Sequence, residues 1–459
     1  MEPVTLGVIA DWCGAAVSGP ERDILIRDIS TDSRTVQPGE LFIPLVGETF
    51  DGHTFLETAA DRGAAAVLSS RRELVWQKNI PILYVDDTLS AYQAIAAGYR
   101  RTLTAKVVGI TGSVGKTTTK EMTAAILAQR YRTASTVGNH NNLVGLPQTV
   151  LAAPKDCQAL VLEMGMNHFG EISRMTAVAR PDIAVINNIG MMHIEFLGSR
   201  AGILKAKMEI LEGETEQGVA VFNGDEPLLW NCRAIVRQRL VYFGISNEQC
   251  DVRGTDIQPL DGGIRFVCHA HGQTFPVELP VEGEHNVCNA LAAIAATMEL
   301  GATPEEIQRA LRQFENVGMR QKIYTKNGFQ IIEDCYNAGP QSMEAALKLL
   351  GERPCEGRRI AVLGSMLELG HRANAEHYRI GRLAAKHADL LLAYGESARE
   401  YVTGALTGGM PPRDTLYFDT PEATANALSI RARKGDTILF KGSRGMRMEQ
   451  IIGLFLAEN

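Results

Sequence analysis

The stretch Lys106-Val-Val-Gly-Ile-Thr-Gly-Ser-Val-Gly-Lys-Thr-Thr-Thr119 decides how the rest of the chain is read. An apolar run ends in small residues, passes through Gly115-Lys116-Thr117, and continues into a helical pattern carrying Glu121, Met122, Ala125 and Ile126. Strand, glycine loop and helix in that order form a phosphate cradle. Glycines let backbone N–H groups turn toward phosphate oxygens. Lys116 can neutralise those oxygens, and the Thr117 hydroxyl can hold Mg²⁺. Ile110 stands where the general G-x-x-x-x-G-K-[ST] spacing puts its first glycine, and Gly109 and Gly112 flank it. The loop is therefore a variant of the P-loop. A glycine-rich turn with an incidental lysine explains neither the strand before it nor the helix after it.

At 459 residues the chain is too long for one core, and roughly three domains are expected. Composition is that of an ordinary soluble protein, 45% hydrophobic and 22% charged. A net charge of −7 argues against a partner held by nucleic-acid phosphates. The eight cysteines form no C-x-x-C pair, so neither a disulfide framework nor a zinc site is expected. Cys157 and Cys288 lie in apolar runs and read as small buried hydrophobes. His269 and His271 beside Cys268 look metal-like, but the alternation Phe266-Val-Cys-His-Ala-His271 is more simply an exposed strand. The N-terminus lacks a basic signal-peptide region, and no apolar run reaches the length of a membrane span. A monomer in the reducing cytoplasm is expected.

Three segments follow from the alternation of strand and helix patterns. Residues 1–84 mix short strands and turns as a small α/β unit. Residues 85–314 carry the P-loop, buried strands at 159–163 and 183–186, helices at 203–211 and 286–300, and a β-insertion over 246–282 with a hairpin at Asp261-Gly-Gly263. Residues 315–459 restart the pattern, with strands at 330–332, 359–363, 390–393, 416–418 and 437–440, as in a doubly wound sheet.

Beyond the loop, Glu163 ends an apolar strand, where a carboxylate lies next to a bound Mg²⁺ in P-loop folds. Asn187-Asn-Ile-Gly-Met-Met-His193 follows the next strand and faces the same crevice. A lone histidine is usually structural, but His193 sits at a strand–loop edge beside the phosphate site. Lys205 and Lys207 are two apart on a helix and cannot share a face, so one points into the site while the other is solvated. The amide turn Gly138-Asn-His-Asn-Asn142 offers donors and acceptors for a polar substrate, or is a plain Asx-turn loop. Arg320, in Gly318-Met-Arg-Gln321, reads from the residues alone as readily as a solvated charge.

The loop Thr111-Gly-Ser-Val-Gly-Lys-Thr117 resembles the ATP loop of the Mur ligases, which departs from the general pattern in the same way. So do, in order, the amide turn, Glu163-Met-Gly165, Asn188-Ile-Gly190 to His193-Ile-Glu195, Ala206-Lys-Met-Glu-Ile210, Gly283-Glu-His-Asn286 with Asn289-Ala290, Asp334-Cys-Tyr-Asn-Ala-Gly-Pro340 and Lys441-Gly-Ser-Arg444. With Asp32-Ser-Arg34 and Asp51-Gly-His53 at the front, the resemblance spans nearly the whole chain. Tyr336-Asn337-Ala338 with Pro340, Leu367-Glu-Leu-Gly370 and Lys441 to Met446 are similar to the branch that adds D-alanyl-D-alanine, and the Asp-Asn-Pro-Arg signature of the diaminopimelate- or lysine-adding branch is missing. Glu333, Cys335, Gly339, Ser365 and Leu143 depart from that branch's usual residues.

The resemblance implies an α/β protein of three domains: a UDP-substrate domain (1–84), a central P-loop ATPase domain with a mostly parallel sheet (85–314), and a C-terminal Rossmann-like domain that binds the incoming dipeptide (315–459). It implies ATP, two Mg²⁺ ions, UDP-N-acetylmuramoyl-tripeptide and D-alanyl-D-alanine as ligands. By the same resemblance, Thr111, Gly112, Ser113, Val114, Gly115, Lys116, Thr117 and Thr118 hold ATP phosphates, Asn286 approaches the adenine, Arg320 reaches the γ-phosphate and Asp334 the ribose, with Asn337 nearby. Thr117 and Glu163 hold one Mg²⁺; His193 and a carbamylated Lys207 help hold the second. Lys116, His193, Lys207 and Arg320 form the catalytic set. Ser33, Arg34, Gly52, His53, Asn139, Asn142, Tyr336, Lys441, Ser443 and Arg444 are the implied substrate contacts. The alternatives weighed are a folylpolyglutamate synthase-like ligase, another Mur branch and a P-loop nucleotide switch.

Overall fold

The computed structural model describes residues 1–18, 21–213, 215, 217–316 and 318–458. Three larger sheets follow one another along the chain, joined by helices that pack on their faces, with a two-stranded antiparallel pair, Val4–Thr5 and Leu25–Ile26, at the front. In the first, Ile82–Tyr84, Ala66–Ser69, Glu40–Phe42 and Asp28–Ser30 run parallel, with the short Ala16–Val17 antiparallel at one edge. A 3₁₀ turn, Gly52–Phe55, leads into the α-helix Leu56–Asp61.

The central sheet has nine strands. Its parallel middle places Lys106–Thr111 between Ala159–Glu163 and Ile183–Ile186. Alternation along these strands sorts their side chains to two faces. Val107, Leu160 and Leu162 join the cluster containing Tyr92, Ile95 and Ile172, from the helices Thr88–Thr102 and Glu171–Ala179. Val108, Ile110 and Val161 join the cluster of Met122, Ile126 and Ala290, from Lys116–Leu127 and Glu284–Met298. Burial on both faces is why these strands read as unbroken apolar runs. The helix Glu284–Met298 is buried all round, with Ala290 through Ala296 fully inaccessible, as its alanine-rich sequence requires. The insertion is an antiparallel meander, Val252–Leu260, Gly263–Ala270 and Gln273–Leu279, which extends the sheet at its far edge. His269 lies within it, with Nε2 2.9 Å from Thr255 Oγ1, as expected for a strand histidine rather than a metal ligand.

The third sheet runs Lys322–Lys326, Phe329–Glu333, Thr437–Lys441, Arg359–Gly364, Leu390–Tyr394, Thr415–Phe418, parallel after the first hairpin. The C-terminal ends of Phe329–Glu333 and Thr437–Lys441 face the central domain and deliver Asp334 and Lys441 to the cleft between them. All eight cysteines are free. Cys157 is buried as expected, whereas Cys288 is only partly buried and lines that cleft, because the helix Glu284–Met298 turns its first residues toward the opening rather than the core.

Candidate active site

Between the central and C-terminal domains lies a cleft of about 970 Å³, large enough for a nucleotide and part of a second substrate. Residues Ser113 to Thr118 form its floor. Gly115 takes φ 83° at the N-cap of the helix Lys116–Leu127, and a Cβ there would stand 2.2 Å from Asn289 Oδ1. Only glycine suits both demands. The first N–H groups of that helix have no acceptor within the helix and give the cleft floor its donors.

A second loop, after Ile183–Ile186, braces the first. Ser113 N and Val114 N both donate to Asn188 Oδ1, at 3.1 and 2.9 Å, and Gly190 N donates to Ser113 Oγ at 2.8 Å. The N–H groups of Ser113 and Val114 are thus spent on the neighbouring loop rather than pointed at a ligand. Thr111 is fully buried and donates to the Met164 carbonyl, and no atom of it lines the cleft. Gly112 lies under the loop, where a Cβ would stand 2.9 Å from Asn187 Cβ.

Glu163 pairs with the P-loop as the sheet register requires, since it lies opposite Ile110. Thr117 Oγ1 donates to Glu163 Oε2 at 2.7 Å, and Asn141 Nδ2 donates to Oε1 at 2.7 Å. Within the amide turn the side chain on Glu163 is therefore Asn141. Asn142 spends its carbonyl on Val144 N and Gly145 N, and Asn139 is exposed outside the cleft.

Three cations gather here with different surroundings. Lys116 Nζ donates to Gly112 O at 2.8 Å; burial lowers its pKa, opposed by Glu163 and reinforced by Arg320. Lys207 is the inward lysine of its helix and is 2% exposed, while Lys205 is solvent-exposed above Phe169. Among the described residues no hydrogen bond or ion pair reaches the Lys207 amine. Burial, with Lys116 nearby, pushes its pKa far below the ordinary lysine value. Arg320 stacks 4.0 Å from the Tyr336 ring centre at the cleft wall, so it is not a freely solvated charge.

The C-terminal wall is held by its own pairs. Lys441 Nζ donates to Asp334 Oδ2 at 2.6 Å and to Asn337 O at 3.2 Å, although Lys441 is 2% exposed. Asn286 Nδ2 donates to Gln321 Oε1 at 2.9 Å and to Glu282 O at 2.8 Å, where the central domain passes into the C-terminal one. His193 lines the cleft with φ 62°, and its Nδ1 is 2.6 Å from Glu368 Oε2, which holds the Glu368 carboxyl below its ordinary pKa.

Several implied substrate residues lie elsewhere. Ser443 is buried under the wall, accepting from Leu367 N and donating to Ala338 O. Arg444 pairs with Glu449 on the surface. In the first domain Arg34 forks onto Asp32 with its side chain 86% exposed, and Ser33 beside it is buried. Gly52 cannot carry a Cβ, which would meet the Leu45 carbonyl at 2.6 Å. Both ring nitrogens of His53 are engaged, Nδ1 by Asp51 and Nε2 by the Ser70 backbone N–H. None of Ser33, Arg34, Gly52 and His53 lines the cleft. Conversely, Gln321 and Glu368 shape the site without an expected role there, and Asn141 and Asn188 were expected only as members of the amide turn and of the segment after the buried strand. Asn188 sat in an amide pair after a buried strand, a usable signal; Glu368 had none beyond its motif.

Family models match in chain order: the Mur ligase family catalytic domain over residues 25–100, the Mur ligase middle domain over 110–297, and the Mur ligase glutamate ligase domain over 319–444. The UDP-N-acetylmuramoyl-tripeptide–D-alanyl-D-alanine ligase of Bacillus subtilis is 41% identical, covering 98% of this chain and 97% of its own length. The crystal structure of MurF from Acinetobacter baumannii superimposes with a TM-score of 0.91 at 32% identity, over 100% of this chain and 99% of that one. MurF ligase from Thermotoga maritima, solved in complex with ADP, gives 0.84 at 31% identity, over 94% and 97% of the two chains. A P-loop braced by an asparagine loop, a carboxylate on its threonine and three domain matches in order are all explained together: the chain belongs to the Mur ligase family.

Proposed function

We propose that this chain is an ATP-dependent ligase that joins D-alanyl-D-alanine to the terminal carboxylate of UDP-N-acetylmuramoyl-tripeptide, a step of peptidoglycan precursor synthesis. The observation that carries the reading is one cleft with a phosphate cradle on one wall and Arg320, Tyr336 and the Lys441–Asp334 pair on the other, in a chain 41% identical to a ligase of that name. Residues 1–84 hold the UDP end, 85–314 the nucleotide and 315–459 the dipeptide. With a net charge of −7 and no helix among the described residues long and apolar enough to cross a membrane, we place it in the cytoplasm as a monomer without a nucleic-acid partner.

Both reactants of the first step are anions, so the work of the site is neutralisation and alignment. Lys116, the helix N–H groups from Gly115 onward and Arg320 take the ATP phosphates, Asn286 and the neighbouring His285 the base, and Asp334 with Asn337 the ribose. The donor set at Thr117 and Glu163 fits Mg²⁺, because a hydroxyl and a carboxylate converge 2.7 Å apart and both are hard oxygens. When bound, Mg²⁺ offsets the charge that builds on the transferred phosphoryl group.

The Lys207 amine, which burial pushes well below the ordinary lysine pKa and which no hydrogen bond or ion pair reaches among the described residues, would serve as the nucleophile toward CO₂. An N–C bond would form with loss of a proton, and the carbamate together with His193 would hold a second Mg²⁺, supplying the anionic oxygen that an ammonium cannot. The tripeptide carboxylate then attacks the γ-phosphorus and ADP departs. The amine of D-alanyl-D-alanine attacks the acyl phosphate carbon, phosphate leaves with the C–O bond, and the amine proton passes to solvent. Tyr336 and Lys441 position the dipeptide.

Phosphate release measured with each substrate omitted in turn tests the reading. Turnover should need ATP, the tripeptide nucleotide and D-alanyl-D-alanine together. Phosphate release indifferent to D-alanyl-D-alanine overturns the reading in favour of a nucleotide switch, and turnover with a folate acceptor favours the folylpolyglutamate synthase alternative.

A further inference from the structure

Gln321 stands where the chain passes from the helix Pro304–Arg312 into the strand Lys322–Lys326, and it lines the cleft beside Arg320. Its backbone is left-handed, with φ 47°. A residue with a Cβ keeps that conformation only where its surroundings impose it. Here the imposing contacts are at the side chain. Oε1 accepts from Asn286 Nδ2 at 2.9 Å and from His285 Nε2 at 3.1 Å, and Nε2 donates to Glu282 O at 2.9 Å. These partners fix which way the amide faces, because a carbonyl oxygen only accepts and Asn286 Nδ2 only donates. On its own domain's side Gln321 has a longer contact, its N–H to Asp334 Oδ1 at 3.4 Å.

The three groups that hold the side chain all belong to the central domain, at the entry to the helix Glu284–Met298. Asn286 is itself set in place. Its Nδ2 also donates to Glu282 O at 2.8 Å, and its Oδ1 accepts from Asn289 Nδ2 at 3.2 Å. The result is a short edge in the cleft with a donor, Asn286 Nδ2, beside an acceptor, Glu282 O. That edge complements a primary amide. It complements adenine equally well, since the N6 amino group donates beside a ring nitrogen that accepts.

We propose that Gln321 is an internal competitor of adenine: its amide and the base use the same edge, so each excludes the other, and ATP binding releases the residue next to Arg320. The proposal rests on the reading above that Asn286 and His285 meet the base. Gln321 then works against nucleotide affinity, because the edge must be given up before it is read, and the apparent Kd rises with the fraction of chains in which the amide holds it. The polyphosphate, which lies on the P-loop, is outside this competition.

Isothermal titration calorimetry on the full chain, with ADP and separately with tripolyphosphate, tests this. Q321A should bind ADP about 3- to 10-fold more tightly than the wild type, the net worth of about one hydrogen bond, and tripolyphosphate equally well. Q321G, whose glycine suits the left-handed backbone, should do the same. N286A should bind ADP more weakly and tripolyphosphate as the wild type does. In ¹⁵N NMR spectra the Gln321 side-chain amide, identified by its absence from Q321A, should shift when ADP is added to the wild type and stay in place with tripolyphosphate. N286A that binds ADP like the wild type overturns the reading of Asn286 as a base contact. A weakened N286A with Q321A and Q321G no tighter for ADP overturns the competition alone. So does a Gln321 amide that ADP leaves in place, or a gain for tripolyphosphate as large as that for ADP.

Discussion

The two walls of the cleft are built on different terms. On the central wall the P-loop is cross-braced from outside itself: Asn188 takes two of its N–H groups, Ser113 takes Gly190 N, and Glu163 is gripped by both Thr117 and Asn141. On the C-terminal wall the charged groups satisfy each other. Lys441 is spent on Asp334, and Arg320 lies on Tyr336. Contacts between the walls include Met191 N to Gln341 Oε1 at 3.4 Å, His193 to Glu368 at 2.6 Å, Asn286 to Gln321 at 2.9 Å and the Arg353–Glu282 pair. A rigid wall suits phosphoryl transfer, where donors must already point at developing charge. A self-paired wall can move as a unit without exposing an unpaired charge, which suits a domain that closes on its substrate.

Removing the cation of the rigid wall should have the largest effect. Lys116→Met is expected to lower kcat by about 10³-fold, since no neighbouring group can take over its place beside Gly112 O. Folding should be unaffected, because among the described residues the amine makes that one hydrogen bond. A loss under tenfold would mean that the P-loop N–H groups suffice alone, and would remove the asymmetry between the walls. On the other wall the main cost should fall on stability. Asp334→Asn leaves Lys441 as a buried cation facing only carbonyls, and should cost about 2–3 kcal/mol in urea unfolding; this is below the figure for a fully buried pair because Asp334 is 20% exposed. Adding Lys441→Met should recover most of it. If the double variant is no more stable than the single one, the wall is not self-paired in the sense argued.

How legible each wall was in the sequence follows the same division. The strand, loop and helix at 106–127 were readable because every contact in them is local, and Glu163 was found because a strand end points to one place only. The amide turn showed its composition but not its aim, since three asparagines in four positions differ only in how the turn is folded; Asn141, not Asn139, reaches Glu163. Helical period offered Lys205 and Lys207 as opposites and left the choice to burial, which selects Lys207. Asp334 and Lys441 came from family resemblance, because a pair 107 residues apart is a product of sheet order. Glu368 was out of reach altogether, as its partner depends on how two domains dock.

Arg320 lies where the comparison is most sensitive, a charge held by stacking rather than by a carboxylate. Arg320→Lys keeps the charge but gives up the planar stack on Tyr336, and kcat/KM for ATP should fall by about 5- to 10-fold. An equal loss in Arg320→Lys and Arg320→Ala would show that the stack, not the charge, is what the site uses.

Arg34 in the first domain should mark the outer limit of the comparison, away from both walls. It forks onto Asp32 in the open, and that pairing holds the Asp32 carboxyl down to about 2, so both groups are charged at any working pH. An exposed pair of this kind contributes little to the fold. Arg34→Ala should therefore leave the thermal midpoint and the KM for ATP unchanged, and raise the KM for the UDP-tripeptide by about two- to fivefold. The rise should shrink as salt is added, because a solvated arginine meeting a diphosphate is screened over a distance of about 10 Å at 0.1 M ionic strength. A kcat that falls tenfold instead would place Arg34 in the reacting assembly, and would mean that the first domain closes on the cleft as a third wall rather than anchoring the far end of the substrate.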